Sequence, residues 1–318
     1  MLKDMLIALI VSFAVTAAMG PFLIKVLHRL KFGQTVREDG PMTHLKKNGT
    51  PTMGGIMFLL GMTIASLVFV GKYPELLSVW ILTIGFAAVG FLDDFIKVVL
   101  KRSLGLRAWQ KFLIQIVITG IYAYYIIAVE KNSMMMRLPF SGREISAGVL
   151  TIPLLFFVVI GTDNGTNFTD GLDGLAATVT SIVAAFFAAS AYITGSGTAI
   201  IAAAMIGGLL GYLIYNAYPA KVFMGDTGAL ALGGFVAGIA YSLHMPLYIP
   251  IVGFIYLFEV VSVILQVGYF KITKGKRIFK KAPIHHHFEE MGWSENRIVL
   301  TFGLITLVLS VICLFSFL

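Results

Sequence analysis

Residues 164–174 read NGTNFTDGLDG and place two asparagines and two aspartates between two long apolar runs. Charge beside the hydrocarbon core of a bilayer is costly and is usually functional. Two other acidic clusters occupy matching places: Asp93–Asp94 follows one apolar run, and Asp226, within GDTG at 225–228, precedes another. Three carboxylate groups at three helix ends predict one shared site for a metal ion and a phosphate.

The composition is typical of an integral membrane protein. Of the 318 residues 58% are hydrophobic and 13% are charged, and the mean hydropathy is +0.89, which few soluble domains approach. The only cysteine, Cys313, lies in the last apolar run, so an intrachain disulfide is excluded. Despite a net charge of +8, the basic residues form no groove-reading motif, and no nucleic-acid partner is expected.

The pattern predicts an all-α fold with about ten transmembrane helices, since a spanning helix needs roughly 20 apolar residues. The first run resembles a signal peptide but continues to Leu27, which favours a transmembrane helix. No repeat or long linker is present, so we expect a single polytopic domain over residues 1–318. The predicted spans are 5–27, 54–71, 76–92, 110–129, 147–163, 174–194, 198–215, 227–243, 248–270 and 297–317.

The basic residues predict the orientation. Nineteen of the 24 lysines and arginines lie in or beside the loops that follow the odd-numbered spans; the other five are Lys3, Lys72, Lys131, Arg137 and Arg143. The positive-inside rule places the first set in the cytoplasm and both termini outside. All the acidic clusters then share the cytoplasmic face. On the opposite face, residues 136–145 are expected to form a small hairpin.

The DDFIK segment at 93–97 is the first candidate for chemistry. On a helix, Asp93 and Lys97 are i,i+4 neighbours and can pair. Adjacent carboxylates repel each other unless a cation neutralises them, and Mg²⁺ commonly binds through one or two carboxylates plus substrate phosphates. The alternative is a solvated helix end with a salt bridge.

Asn167, Asp170 and Asp173 permit two structures. If the segment is helical, their spacing places them on one face; if Gly171 and Gly174 break the helix, they form a loop that approaches a phosphate closely. Asp173 is also a candidate N-cap for the following span.

Asp226 can likewise be read as a simple N-cap, or as part of a helix start whose free N–H groups bind an anion. Asn216 ends the preceding span, and Phe223 either stacks on a planar base or faces the membrane.

The basic loop 271–296 contains His285, His286 and His287, for which we favour a substrate phosphate or sugar over a metal. Glu259 lies mid-span, where a polar group satisfied between helices is the expectation. Gln266, nearer the cytoplasm, is the better candidate for the site.

Together these motifs resemble the phospho-N-acetylmuramoyl-pentapeptide transferases of bacterial cell-wall synthesis, a branch of the polyprenyl-phosphate N-acetylhexosamine-1-phosphate transferase superfamily. The superfamily resemblance rests on DDFIK at 93–97, NFTDGLDG at 167–174 and GDTG at 225–228. The branch is indicated by PIHHHFE at 283–289 and TPTMGG at 50–55. One departure is DNGTN at 163–167, where the family commonly has SNAVN, which leaves the local contacts to uracil open.

The resemblance implies transfer of phospho-MurNAc-pentapeptide from UDP-MurNAc-pentapeptide to undecaprenyl phosphate, in the bacterial cytoplasmic membrane. The products are undecaprenyl-diphospho-MurNAc-pentapeptide (lipid I) and UMP. It implies Mg²⁺ at Asp226 with Asp93 and Asp94 nearby, Asp93 deprotonating or orienting the lipid phosphate, and Lys97 and Lys111 holding phosphates. Substrate-binding residues are then Lys46, Asn164, Asn167, Asp170, Asp173, Asn216, Phe223, Gln266, His285, His286 and His287.

Several alternatives stay open at this point. Direct attack, which we favour, and a covalent aspartyl-phosphosugar intermediate both fit the residues, and a homodimer is expected only from the resemblance. A sister enzyme that transfers GlcNAc-1-phosphate to the same lipid lacks the PIHHHFE type of motif. A nucleotide-sugar transporter would place its polar residues near the midplane and carry inverted repeats, whereas here they cluster on one face.

Overall fold

The computed structural model describes residues 1–30, 49–99 and 105–317, and it confirms an all-α membrane fold. The helices are α1 (Leu2–Arg29), α2 (Gly55–Leu67), α3 (Leu76–Val99), α4 (Ala108–Tyr124), α5 (Thr151–Thr169), α6 (Leu175–Thr194), α7 (Thr198–Asn216), α8 (Gly225–Ser242), α9 (Ile249–Val252), α10 (Phe254–Ile272), α11 (Ile284–Glu290) and α12 (Glu295–Leu314). A π-helical turn, Tyr125–Val129, extends α4. Three short 3₁₀ turns are Gly148–Leu150, Pro246–Tyr248 and Phe315–Phe317.

Helix α8 lies at the centre of the bundle. Every residue from Thr227 to Tyr241 is buried, as expected for a helix that is apolar on all sides. It packs against α3 and α5 along much of its length, while α7 packs between α1, α2 and α6. The first turn of α8, which carries Asp226, is therefore held by several neighbouring helices.

Glycines permit the close approach of helices to α8. A β-carbon at Gly90 on α3 would overlap the backbone carbonyl of Asp226, and one at Gly233 on α8 would overlap the backbone of Asp163 on α5. Small residues commonly allow such contacts between membrane helices. The spacing of α3 and α5 from α8 thus depends on glycine at these two positions.

The predicted spans agree with the helices in type but less well in extent. Among the described residues, eight helices are long and apolar enough to cross a membrane, and α2 is apolar but only 13 residues long. The predicted run 248–270 is divided at Gly253 into α9 and α10. The count of ten spans and the placement of the termini remain predictions.

The hairpin predicted between α4 and α5 is confirmed. Strands β1 (Met136–Arg137) and β2 (Glu144–Ile145) pair antiparallel, with Met136 opposite Ile145 and Arg137 opposite Glu144. The backbone N–H of Arg137 donates to the carbonyl of His244, just after α8, at 2.7 Å. The hairpin is therefore joined to the segment after α8, at the end of that helix opposite to Asp226.

We expect Gly90→Ala to lower the free energy of unfolding by about 1–3 kcal/mol, because the added methyl group forces α3 and α8 apart. Thermal unfolding in detergent measures the effect. Gly161→Ala on α5 is the matched control, since a β-carbon there meets no atom within 4 Å. Equal unfolding temperatures for the two variants would contradict the close packing of α3 on α8.

Candidate active site

Asp93 and Asp94 lie within α3 rather than after it. The predicted end at residue 92 is wrong because the helix continues to Val99, and charged residues remain helical where partners are available. Both aspartates are 3% exposed. Lys97 Nζ lies 2.5 Å from Asp93 Oδ2, which confirms the predicted i,i+4 pair.

Asp94 joins the end of α3 to the start of α8. It accepts hydrogen bonds from the backbone N–H of Asp226 at 3.1 Å and of Thr227 at 2.8 Å, and from the Thr227 hydroxyl at 2.7 Å. Gly225 enters the helix with φ +72°, and a β-carbon there would crowd the Asp94 carboxylate. These two N–H groups donate hydrogen bonds to Asp94, so the expectation that they are free to bind an anion is wrong.

Asp226 lies in the first turn of α8, not at its N-cap, which is Met224. Its Oδ2 accepts from Lys97 Nζ at 3.0 Å and from Lys111 Nζ at 3.1 Å, and its Oδ1 accepts from Asn167 Nδ2 at 3.0 Å. The N-cap interpretation fails because these side-chain contacts turn the carboxylate toward α3, α4 and α5. Residues from three helices thus converge on one carboxylate of a fourth helix.

Asp93 also fixes the start of α4. Its Oδ1 accepts from the backbone N–H of Leu106 at 2.7 Å, and Gly105 lies directly against the carboxylate. This contact places Ala108, the first residue of α4, and Lys111 one turn later. The same carboxylate therefore pairs with Lys97 and positions the segment that supplies Lys111.

The three aspartates can hold a metal ion. One carboxylate oxygen from each of Asp93, Asp94 and Asp226 lies within 4.8 Å of the others, and no other cluster of this kind occurs in the described part of the chain. An all-carboxylate donor set suits hard cations such as Mg²⁺. Lys97 and Lys111 supply the compensating charge that adjacent carboxylates require in a partly buried site.

The 164–174 segment forms a helix end followed by a turn. Helix α5 ends at Thr169 with Asp170 as its C-cap, so the single-face alternative is wrong. Asp170 and Asp173 lie in a turn as the loop alternative predicted, whereas Asn167 is helical, and the approach to a phosphate stays a prediction. Burial, and then the charges of Asp226, Asp94 and Asp173, raise the pKa of Asp170. The Asp170 carboxyl group is therefore harder to ionise in the folded protein than a free aspartate.

Asp173 and Asn216 hold the segment that leads into α8. Asp173 is not the predicted N-cap, because Gly174, with φ 77°, occupies that place. Asp173 Oδ2 instead accepts from the backbone N–H of Ala220 at 2.9 Å. Asn216 accepts from the Gly174 N–H at 3.1 Å and donates to the Val222 carbonyl at 2.9 Å.

Phe223 is half-buried at the same end of the bundle. Its backbone N–H donates to the carbonyl of Pro51, and its carbonyl accepts from the Gly54 N–H, both at 2.8 Å. The TPTMGG segment is thereby joined to the residues just before Asp226. Lys46 lies outside the described residues.

Gln266 and His287 organise the basic loop. Gln266 accepts from the backbone N–H groups of Ile278 and Phe279 and donates to the Phe279 carbonyl, at 3.0–3.1 Å. His287 Nδ1 accepts from the Lys280 N–H at 3.1 Å. Gln266 therefore supports the loop through its backbone.

His285 and His286 each pair with a carboxylate. His285 Nδ1 lies 3.0 Å from Glu259 Oε2, and His286 Nδ1 lies 2.6 Å from Glu289 Oε2. Glu259 is thus paired between structural elements as expected, but through Oε2 alone, since its Oε1 has no hydrogen-bond partner among the described residues. Burial lowers the pKa of His286 despite its carboxylate neighbour.

A second polar layer was not predicted as part of the site. Asp163, which is fully buried, accepts from Gln115 Nε2 at 2.5 Å. Asp163 precedes Asn167 by four residues, and Gln115 follows Lys111 by four, so this pair lies one helical turn below the Asn167–Asp226–Lys111 contacts. A carboxylate inside an apolar run was the signal available in the sequence.

Asn164 lies beside this layer on the surface. With Lys111, Gln115 and the exposed Trp109 and Phe112, it lines a depression of about 410 Å³ between α4 and α5. Its Nδ2 donates to the Ile160 carbonyl at 2.8 Å. The lining of the depression combines the polar side chains of Lys111, Gln115 and Asn164 with the exposed apolar rings of Trp109 and Phe112.

Comparison with known proteins identifies the class. The profile of glycosyl transferase family 4 matches residues 76–244, more than half of the chain, and a phospho-N-acetylmuramoyl-pentapeptide-transferase signature matches residues 47–59. Proteins named phospho-N-acetylmuramoyl-pentapeptide-transferase are similar over nearly their whole length. One from Clostridioides difficile is 48% identical over 303 residues, covering 95% of this chain and 94% of the relative. One from Caldanaerobacter subterraneus is 47% identical over 319 residues, covering 99% of each.

The fold and the site thus define a multi-pass bacterial membrane protein that transfers a phospho-sugar. The chain belongs to the phospho-N-acetylmuramoyl-pentapeptide-transferase family.

We expect Thr227→Val to lower the kcat of transfer roughly 10- to 100-fold, because a hydrogen bond to a charged group contributes about 1.5–3 kcal/mol. Thr227→Ser, which retains the hydroxyl that donates to Asp94, is the matched control and should keep most of the activity. If Thr227→Val is as active as Thr227→Ser, the position of Asp94 does not depend on this hydroxyl.

We expect Asp170→Asn to raise the thermal unfolding temperature of metal-free protein at about pH 8. A carboxyl group whose folded-state pKa is raised destabilises the fold as the pH rises through that value. The gain should vanish as the pH falls below the ordinary value of 3.8, where the aspartate is neutral in both the folded and the unfolded protein. Glu290→Gln, at an exposed position, is the control. A lower or unchanged unfolding temperature at pH 8 would contradict the raised pKa.

Proposed function

We propose that this protein transfers phospho-MurNAc-pentapeptide from UDP-MurNAc-pentapeptide to undecaprenyl phosphate, the first membrane step of peptidoglycan synthesis, within a single domain of residues 1–318. The observation that carries the proposal is the convergence of Asp93, Asp94, Asp226, Lys97 and Lys111 at one end of the bundle. The signature match and the relatives support the choice of substrate.

In the proposed reaction an oxygen of the lipid phosphate attacks the sugar-linked phosphorus of the nucleotide diphosphate. A new P–O bond forms, the bond to the bridging oxygen breaks, and UMP leaves with that oxygen. Such transfers depend mainly on positioning and on stabilisation of charge. The bundle end suits two substrates because it joins polar loops to apolar helices, so that a soluble nucleotide and a membrane lipid can meet there.

Asp93 is proposed to accept a proton from the lipid phosphate or to orient it. Its side chain is 3% exposed and lies next to Lys97, which would attract the phosphate toward the carboxylate. Lys97 and Lys111 both pair with Asp226. When the substrates bind, the two lysines are proposed to donate some of their hydrogen bonds to phosphate oxygens instead of to Asp226. The Asp170–Gly174 turn, with Asn167, Asn216 and Phe223, forms the nucleotide side, and the loop of His285–His287 faces the peptidyl sugar.

Asp226, with Asp93 and Asp94 beside it, is proposed to hold Mg²⁺. The donor set fits, since the three carboxylates offer oxygen atoms within 4.8 Å of one another. When bound, the ion would neutralise phosphate charge and orient the diphosphate. We place the site on the cytoplasmic face, where the nucleotide substrate is available and where the positive-inside rule locates the flanking basic residues.

The test is UMP release by the purified protein in detergent with undecaprenyl phosphate and Mg²⁺, comparing UDP-MurNAc-pentapeptide with UDP-GlcNAc. We expect release with the pentapeptide substrate alone. In Asp226→Asn we expect the rate of UMP release to fall by at least roughly 1,000-fold with folding retained, because the substitution removes a carboxylate that both binds the metal and pairs with two lysines. Release with UDP-GlcNAc alone would overturn the substrate assignment. Normal activity of Asp226→Asn would overturn its proposed role.

A further inference from the structure

Glu259 places a carboxyl group inside a membrane helix, where burying such a group is energetically unfavourable. It lies near the N-terminal end of α10 and is 0% exposed. Ionisable groups inside membrane helices are rare and generally pair with one another or line a functional path. Among the described residues, its side-chain hydrogen-bond partner is His285, whose Nδ1 lies 3.0 Å from Glu259 Oε2.

His285 connects this helix to the nucleotide side of the site. Its ring, 1% exposed, comes from α11 in the basic loop. Nδ1 faces Glu259, and Nε2 lies against Gly171, where an added β-carbon would overlap the ring. Within the described chain, neither Nε2 nor Glu259 Oε1 has a hydrogen-bond partner. The ring is therefore held at one edge and packed against backbone at the other.

Gly171 lies in the turn that carries Asp170 and Asp173. The turn follows α5 directly, so its backbone position determines where Asp170 lies relative to the carboxylate cluster. A carboxylate that accepts from one ring nitrogen of a histidine fixes the orientation of the ring. Any rotation of His285 would change the surface on which Gly171 rests.

We infer that Glu259 is a positioning residue that acts through the His285 ring on the Gly171 turn and thereby on binding of the nucleotide-sugar substrate. The polar contact and the ring packing form a connection from the interior of α10 to the nucleotide side. The substrate part of this inference rests on the proposed function, whereas the connection itself can be tested without turnover.

The first measurement is amide hydrogen exchange of peptides that cover residues 170–174. In Glu259→Gln the ring loses its charged partner, so exchange in this turn should become at least about fivefold faster, since local opening is then easier. Glu290→Gln, on the exposed side of α11, is the matched control and should leave exchange unchanged. Unchanged exchange in Glu259→Gln would overturn the inference.

The second measurement separates positioning from general destabilisation. We expect Glu259→Gln to raise the KM for UDP-MurNAc-pentapeptide roughly tenfold while the KM for undecaprenyl phosphate stays within about twofold, because a lower fraction of folded enzyme would change kcat and neither KM. Equal rises in both KM values would overturn the inference. Absence of UMP release by the unsubstituted protein would refute the proposed function, and hydrogen exchange would still decide the positioning role.

Substitutions of His285 complete the test. His285→Asn keeps a donor near Nδ1, so Glu259 stays paired and folding should be retained, but the contact with Gly171 is lost. If Glu259 acts only through the ring, adding Glu259→Gln to His285→Asn should change the nucleotide KM by less than about twofold more. Full additivity of the two effects would show that Glu259 acts by another route and would overturn the inference.

Discussion

The structure of the site depends on the hydrogen bonds that Asp94 accepts from the backbone N–H groups of Asp226 and Thr227, in the first turn of α8. A helix start leaves its N–H groups unsatisfied, and in a buried position such groups must find partners. The partner here is the side chain of a neighbouring helix, so α3 and α8 are joined where each carries an aspartate of the cluster. Gly90 allows the backbones of α3 and α8 to come close, and Gly225 leaves room for the Asp94 carboxylate.

The electrostatics follow from the same arrangement. Three carboxylates at the edge of a low-dielectric bundle would repel one another, and two lysines from different helices offset that repulsion. Lys97 and Lys111 both contact the same oxygen of Asp226, so two positive charges face one carboxylate. Asp163 and Gln115 extend the polar contacts one turn further, where a buried carboxylate needs a donor.

Several features were predictable from the sequence because they depend on local chemistry. Hydropathy predicted a helical membrane fold, the Asp93–Lys97 spacing predicted their pair, and turn residues predicted the hairpin of β1 and β2. The N-cap interpretations of Asp173 and Asp226 were wrong, because local rules assign an acid before a helix to that helix alone. In the bundle, Asp173 instead accepts from the Ala220 N–H, and Asp226 accepts from Lys97 and Lys111.

By itself, the sequence determined the class of protein, its ordered motifs and the residues that bear charge in apolar surroundings, since each depends on composition or on spacing within one segment. Only the tertiary structure decided which of those charges meet. Asp94 binds the start of α8, Asn167 reaches Asp226 across 59 residues, and Glu259 pairs with His285 across 26. These contacts join separate helices, and the free energy of burying polar groups selects partners by distance in space, which the spacing along a chain does not specify.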